Sequence, residues 1–204
     1  MIFQPSDRPL QVTILILPEA SLMSLAATLD PMRAANRISG AEAYRWRVLS
    51  LDGRPVATSC GLPVGVDGAL DAAGDCDLLV VVAAFNVARH ATPAVLSQVR
   101  RAARRARMVA GVEAGSWVLA LAGLLDRRKA TTHWEDLEDF ATRFPHVQVI
   151  PDRWVVDGPA LTTPRTAAGS AVWVQGREAL LLKAMIRPFT LSFSTTTIFS
   201  SVTA

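Results

Sequence analysis

Val109-Ala110-Gly111-Val112-Glu113-Ala114-Gly115-Ser116-Trp117 decides how this chain is read. Met108 to Val112 is an apolar, β-branched run of strand length, and Ser116 to Leu125, bounded by Gly115 and Asp126, is apolar on most sides and predicts a packed helix. The turn between them has the form G-x-E-x-G. In α/β enzymes a G-x-S-x-G elbow sets a nucleophile on a strained strand-to-helix turn, flanked by small residues because neighbouring backbone comes close. Here a carboxylate, Glu113, takes that place. Its side chain is expected in the crevice beyond the carboxyl ends of the strands, facing the start of the next helix. The position marks a site, and the residue excludes ordinary nucleophilic hydrolysis.

Outward from the elbow, Val12 to Leu17 and Leu78 to Val82 are further wholly apolar runs, as expected of strands buried on both faces of a parallel sheet. Ser21 caps a helix with apolar positions Leu22, Leu25, Ala26, Leu29 and Met32, ending between Asn36 and Gly40, with Pro31 expected to kink or restart it. Tyr44 to Leu51 alternates as a strand near an edge, and the glycines, prolines and aspartates from 53 to 74 suggest turns around a short hairpin. Thr92-Pro93 starts a helix running to about Arg105. Trp134 to Phe144 reads as an amphipathic helix, and Val147 to Ile150, Trp154 to Val156 and Ala160 to Thr163 read as short strands. The alternation predicts an α/β three-layer sandwich, a mostly parallel sheet with flanking helices and right-handed crossovers.

The 204 residues are half hydrophobic and 19% charged, which fits one domain burying roughly 70% of its extended surface. Two cysteines, Cys60 and Cys76, exclude a disulfide scaffold and a four-thiolate zinc site, and neither has a histidine or basic cluster at suggestive spacing. No segment approaches about 20 uninterrupted apolar residues, so no membrane association and a cytoplasmic location are expected. A net charge of +3 makes a weak field. Arg100, Arg101, Arg104, Arg105 and Arg107 form the one basic stripe, read mainly as the solvated face of a helix with phosphate contact as the alternative. Neither a P-loop, a dinucleotide fingerprint nor H-E-x-x-H occurs, so no nucleotide cofactor or metal is expected.

The elbow stretch is followed by Ala122-Gly123-Leu124-Leu125-Asp126 and Ala130-Thr131-Thr132-His133-Trp134-Glu135, and preceded by Asp30-Pro31-Met32-Arg33-Ala34-Ala35-Asn36-Arg37 and Asp77 to Ala83. Together these resemble the ThiJ/PfpI-like (class I glutamine amidotransferase-like) sensor domain of GlxA-type AraC family transcriptional regulators. The resemblance implies a flavodoxin-like fold over residues 10–163. In the superfamily's enzymes the elbow residue is a cysteine, a histidine follows at the strand after the elbow helix, and an acidic residue reaches over from the first strand's loop. This sequence has Glu113 for the cysteine, His133 at the histidine's place and Glu19 in the first loop, earlier than the acidic partner's usual position. The superfamily's glycine pair after the strand ending at Val82 is Ala83-Ala84 here.

For the regulators, the resemblance implies that this pocket senses a small metabolite, an amine or amino-acid derivative, without turning it over. It also implies a homodimer that meets DNA only through a helix-turn-helix half. That half is not found in this sequence, and residues 164–204 diverge from the family pattern, as after truncation or a reading-frame change. The expected ligand contacts are Glu113 to an ammonium group, the backbone of Ala114, Gly115 and Ser116 to a carboxylate or carbonyl, and Ala84, Phe85, Asn86 and His133 as walls, with Glu19 nearby. Trp117 and Trp134 are candidates for an aromatic wall or for core packing. Glu113 has a plainer reading as a carboxylate bonded to the helix start, and His133 as a packing histidine. The rival is an amidase, hydratase or glyoxalase-like enzyme using Glu113 and His133 as acid and base. A third reading is an interaction remnant whose pocket the altered tail has destroyed.

Overall fold

In the computed structural model of the chain, residues 8–164 are described. The tail expected to diverge from 164 to 204 lies, beyond Pro164, outside the described residues. In chain order the strands are β1 (Leu10–Ile16), β2 (Tyr44–Ser50), β3 (Val56–Ala57), β4 (Pro63–Val64), β5 (Gly68–Ala69), β6 (Cys76–Ala83), β7 (Ala106–Glu113), β8 (Lys129–Ala130), β9 (Gln148–Val149), β10 (Val155–Asp157) and β11 (Ala160–Thr163). The helices are α1 (Leu22–Ser39), α2 (Val87–His90), α3 (Pro93–Ala103), α4 (Gly115–Leu121) and α5 (Leu137–Arg143).

Seven strands form one sheet in the order β10-β11-β7-β6-β1-β2-β5, parallel throughout except for the β10/β11 hairpin. Period-two alternation divides the apolar residues of the inner strands between two cores. Leu15, Leu79, Val81 and Val109 face the side covered by α3, α4 and α5. Ile14, Ile16, Val80, Val82, Ala110 and Val112 face α1 through Leu25, Met32 and Ala35. The sandwich is therefore three-layered, with both faces of the middle strands dry. β2 lies one position from the edge with only the two-residue β5 outside it, and its exposed Arg45 and Arg47 account for the wetter face.

Local chemistry sets most boundaries. Ser21 accepts a hydrogen bond from the Ser24 amide at the start of α1, and Gly40, at φ 66°, ends the helix. Asn36 clamps that end to β2 by donating to the Tyr44 carbonyl (2.7 Å) and accepting from its amide (2.8 Å). Pro31 does not restart α1, which is continuous over 18 residues. Thr92 caps α3 with Pro93 at its first turn, as expected, and the hairpin expected between 53 and 74 is β3/β4.

Two expected helices are shorter. The elbow helix stops at Leu121, not Leu125, because Gly123 takes φ +72°. Its amide donates to Ala120 and that of Leu124 to Leu119, the paired bonds of a Schellman end. The expected Trp134–Phe144 helix begins as a 3-10 turn over Trp134–Asp136 and becomes α5 only at Leu137. α3 ends at Ala103, so Arg104 and Arg105 lie beyond it and do not extend a helical stripe with Arg100 and Arg101. Arg101, Arg105 and Arg107 instead pair with Asp71 (2.7 Å), Asp75 (3.0 Å) and Asp77 (3.2 Å). Asp77 is buried at the start of β6. Burial pushes its carboxyl up, but hydrogen bonds from the Gln11 amide, Arg8 and Arg107 outweigh this and hold it below the usual carboxylate range.

Candidate functional site

The G-x-E-x-G turn is built by close approach. A Cβ on Gly111 would lie 2.6 Å from the Ser116 amide nitrogen, and one on Gly115 would collide with the Val81 carbonyl. These two glycines let β7, the start of α4 and neighbouring β6 converge. Between them Glu113 takes φ +53°, a left-handed conformation that L-residues adopt only when their surroundings impose it. The turn is fastened from below. The Ser116 hydroxyl bridges the Glu113 carbonyl (2.8 Å) and the Thr132 hydroxyl (3.0 Å), and the Ala114 amide donates to the Ala83 carbonyl (3.1 Å).

Glu113 opens into a cleft of about 430 Å³ at the carboxyl ends of β6 and β7, lined also by Ala84, Phe85, Asn86, Ala114, His133, Glu135 and Asp136. One carboxylate oxygen of Glu113, Oε2, is buried without a hydrogen-bond partner among the described residues. Beside this cleft lies a second cavity of about 420 Å³, sharing Ala84, Asn86, Ala114 and Asp136 with it. Its remaining wall is mostly apolar, with Val87, Ala91, Trp117 and Leu121, and Arg143 at its margin. Both cavities lie beyond the carboxyl ends of parallel strands, where open α/β sheets receive ligands.

The expected wall residues Ala84, Phe85, Asn86 and His133 thus share the cleft with Glu113 and Ala114. Gly115 and Ser116 are buried beneath its floor, and the Ala114 amide is committed to Ala83, which removes it from the anion-binding role expected of it. The two tryptophans do not form a single wall. Trp117 packs edge-on against Phe140 (5.2 Å, 78°) and Phe144 (5.5 Å, 70°), whereas Trp134 is 61% exposed and lines neither cavity. His133 turns its Nδ1 toward Glu135 at 3.6 Å. Glu19 reaches the site indirectly. Its Oε2 accepts from the Asn86 amide (2.8 Å) and meets His90 Nε2 (2.7 Å), and these hydrogen bonds, that of His90 foremost, hold its carboxyl below the usual range.

Glu135, Asp136, Arg143 and His90 were not singled out in the sequence. The first two fall where an unbroken helix was expected, and His90 sits on α2, a single turn too short to show periodicity. Cys60 is exposed, its thiol held below the usual value by the Thr58 hydroxyl, while burial pushes the Cys76 thiol up. Among the described residues no group of three or more His, Cys, Asp or Glu is placed to hold a metal ion, and no helix is long and apolar enough to cross a membrane.

Residues 11–174 match the DJ-1/PfpI family. The chain belongs to that family. Among its curated relatives is the HTH-type transcriptional regulator CdhR of Pseudomonas aeruginosa, 43% identical over 157 residues, covering 77% of this chain and 46% of that protein. The HTH-type transcriptional regulator GlxA of Rhizobium meliloti is 35% identical over 153 residues, covering 74% of this chain and 47% of that protein. This chain therefore spans about half the length of these relatives. In three dimensions it is similar to an AraC family transcriptional regulator from Pseudomonas putida, at a TM-score of 0.77 and 23% identity, covering 89% of this chain and 100% of that one. The resemblance to GlxA-type regulators and the flavodoxin-like fold both stand.

Proposed function

We propose that this chain is the small-metabolite-sensing part of a transcriptional regulator and that its ligand is an amine or amino-acid derivative held by Glu113. The observation that carries the reading is the elbow carboxylate, held at a strained φ in the lining of a cleft, with one oxygen buried and unmatched. A buried carboxylate oxygen without a donor costs free energy that an incoming ammonium would recover. Glu135 and Asp136 add acceptors to the same wall and favour a cation. The regulators CdhR and GlxA support the regulatory half of the reading. DNA contact then belongs to a separate helix-turn-helix domain, and the working state is a cytoplasmic homodimer. Sedimentation of the full chain checks the dimer.

The sensing claim is tested by thermal shift of the full chain against a panel of amines and amino acids. A ligand that binds only the folded state raises the melting temperature. A shift that disappears in Glu113→Gln supports the reading, and a panel that leaves the melting temperature unmoved contradicts it. The enzyme reading draws on Glu113 and His133 lining one cleft. It requires turnover of an amide or α-oxoaldehyde that Glu113→Ala abolishes.

A further inference from the structure

The arginine run from Arg100 to Arg107 has no part in the elbow cleft, and the fold gathers its later members elsewhere. At the amino ends of β1, β6 and β7, the opposite end of the sheet from the elbow, lies a cavity of about 410 Å³ whose walls include Arg8, Arg104, Arg105, Arg107, Asp75 and Asp77. Asp77 is its anchor. The side chain is only 3% exposed, and its two oxygens accept from both Arg8 Nη groups (2.8 and 3.1 Å), from Arg107 Nη1 (3.2 Å) and from the Gln11 amide (3.0 Å). Asp75 holds Arg105 through Nε alone, at 3.0 Å. Arg104 makes no hydrogen bond or ion pair among the described residues.

We propose that this cavity is a binding site for a small phosphorylated molecule, separate from the elbow cleft and independent of what that cleft senses. Charge is the first argument. Four arginines against two aspartates leave an excess of two positive charges in the wall, which matches the roughly two negative charges of a phosphate group and exceeds the one of a simple carboxylate. Geometry is the second. The buried Asp77 pins the Arg8 and Arg107 guanidinium groups beside the cavity, and with them it forms a cluster that is itself net positive. A guanidinium carries five N–H donors in a planar fork. Arg107 uses only Nη1 on Asp77, and Arg105 only Nε on Asp75, so most of their donors remain for phosphate oxygens, and Arg104 adds a guanidinium with none committed. Side chains already held in place lose less freedom when an anion arrives.

The test is titration calorimetry on the full chain, in about 0.15 M salt, with pyrophosphate, inorganic phosphate and acetate. Pyrophosphate is expected to bind with a dissociation constant below about 1 mM, phosphate more weakly and acetate not measurably. Arg104→Gln removes a side chain that has no partner to lose, and it should weaken pyrophosphate about threefold or more without disturbing Asp77. Adding Arg107→Gln should bring the loss to about tenfold or more. Arg100→Gln, on α3 outside the cavity, and Glu113→Gln at the elbow should each leave the affinity within about twofold. No binding at about 10 mM pyrophosphate, acetate bound as tightly as pyrophosphate, or equal losses in Arg100→Gln and Arg104→Gln, the mark of diffuse attraction to surface arginines, overturns the inference. So does a short DNA duplex that binds through Arg104 and Arg107 and that pyrophosphate fails to displace, a result that would give this pole to a nucleic-acid backbone instead.

Discussion

Glu113 and Glu19 are both carboxylates with left-handed backbone, and their surroundings give them opposite tasks. Glu113 has an oxygen with no partner among the described residues, which suits a contact to be completed by a ligand. Glu19 is already satisfied by His90 and Asn86, which suits a structural role at the rim. The depressed Glu19 carboxyl carries a pH consequence. Its stabilising effect is fully present above the ordinary carboxylate range and is lost as pH falls through its lowered folded value. Melting of the full chain beside Glu19→Gln should therefore show a stability gap at neutral pH that closes under acid. A gap that widens in acid would refute the assignment.

At the level of elements, the elbow was legible because its chemistry is local. Two glycines at fixed spacing around an acidic residue, between a strand-length apolar run and a helix, implied a tight strand-to-helix turn, and the collision of a Gly115 Cβ with the Val81 carbonyl gives the reason. Gly115→Ala should cost about 3 kcal/mol or more in chemical denaturation, since backbone must move to admit the methyl group. A loss within about 0.5 kcal/mol would mean that β6 and α4 are not so close. At the end of α4 two signals conflict: Gly123 is a helix-stop residue, but the apolar run continues through Leu124 and Leu125 and predicts a longer helix than the glycine allows. Trp134–Asp136 was absorbed into one helix because Trp134, Leu137 and Phe140 repeat at helical spacing, while the 3-10 turn that brings Glu135 and Asp136 to the cleft leaves no periodic mark. Of the two readings open for the tryptophans, core packing holds for Trp117, which turns toward Phe140 and Phe144; spacing along the chain does not decide between them.

For the molecule as a whole, a mostly parallel sheet with two dry faces followed from the continuous apolar strands, whereas the strand order did not, and the hydrogen bonds that join Glu19 to Asn86 and His90 link residues about 70 positions apart and had no local signal. On the α4/α5 side of the sandwich Phe140 is fully buried in a mutual cluster with Phe144 and with Trp117, which lines the second cavity. Phe140→Ala should destabilise the domain by about 3–5 kcal/mol in denaturant titration. A cost under about 1 kcal/mol would show that this aromatic cluster does not support the cavity wall. The central claim is that a carboxylate at the elbow recognises a cationic metabolite without transforming it, and it is tested most directly by titration calorimetry. With the amine that best stabilises the full chain, Glu113→Gln should weaken binding about tenfold or more, the effect of losing a charge-assisted contact of about 1.5–3 kcal/mol, while the amine is recovered chemically unchanged from the wild-type protein. Unaltered affinity in the variant, or conversion of the amine, would contradict the account.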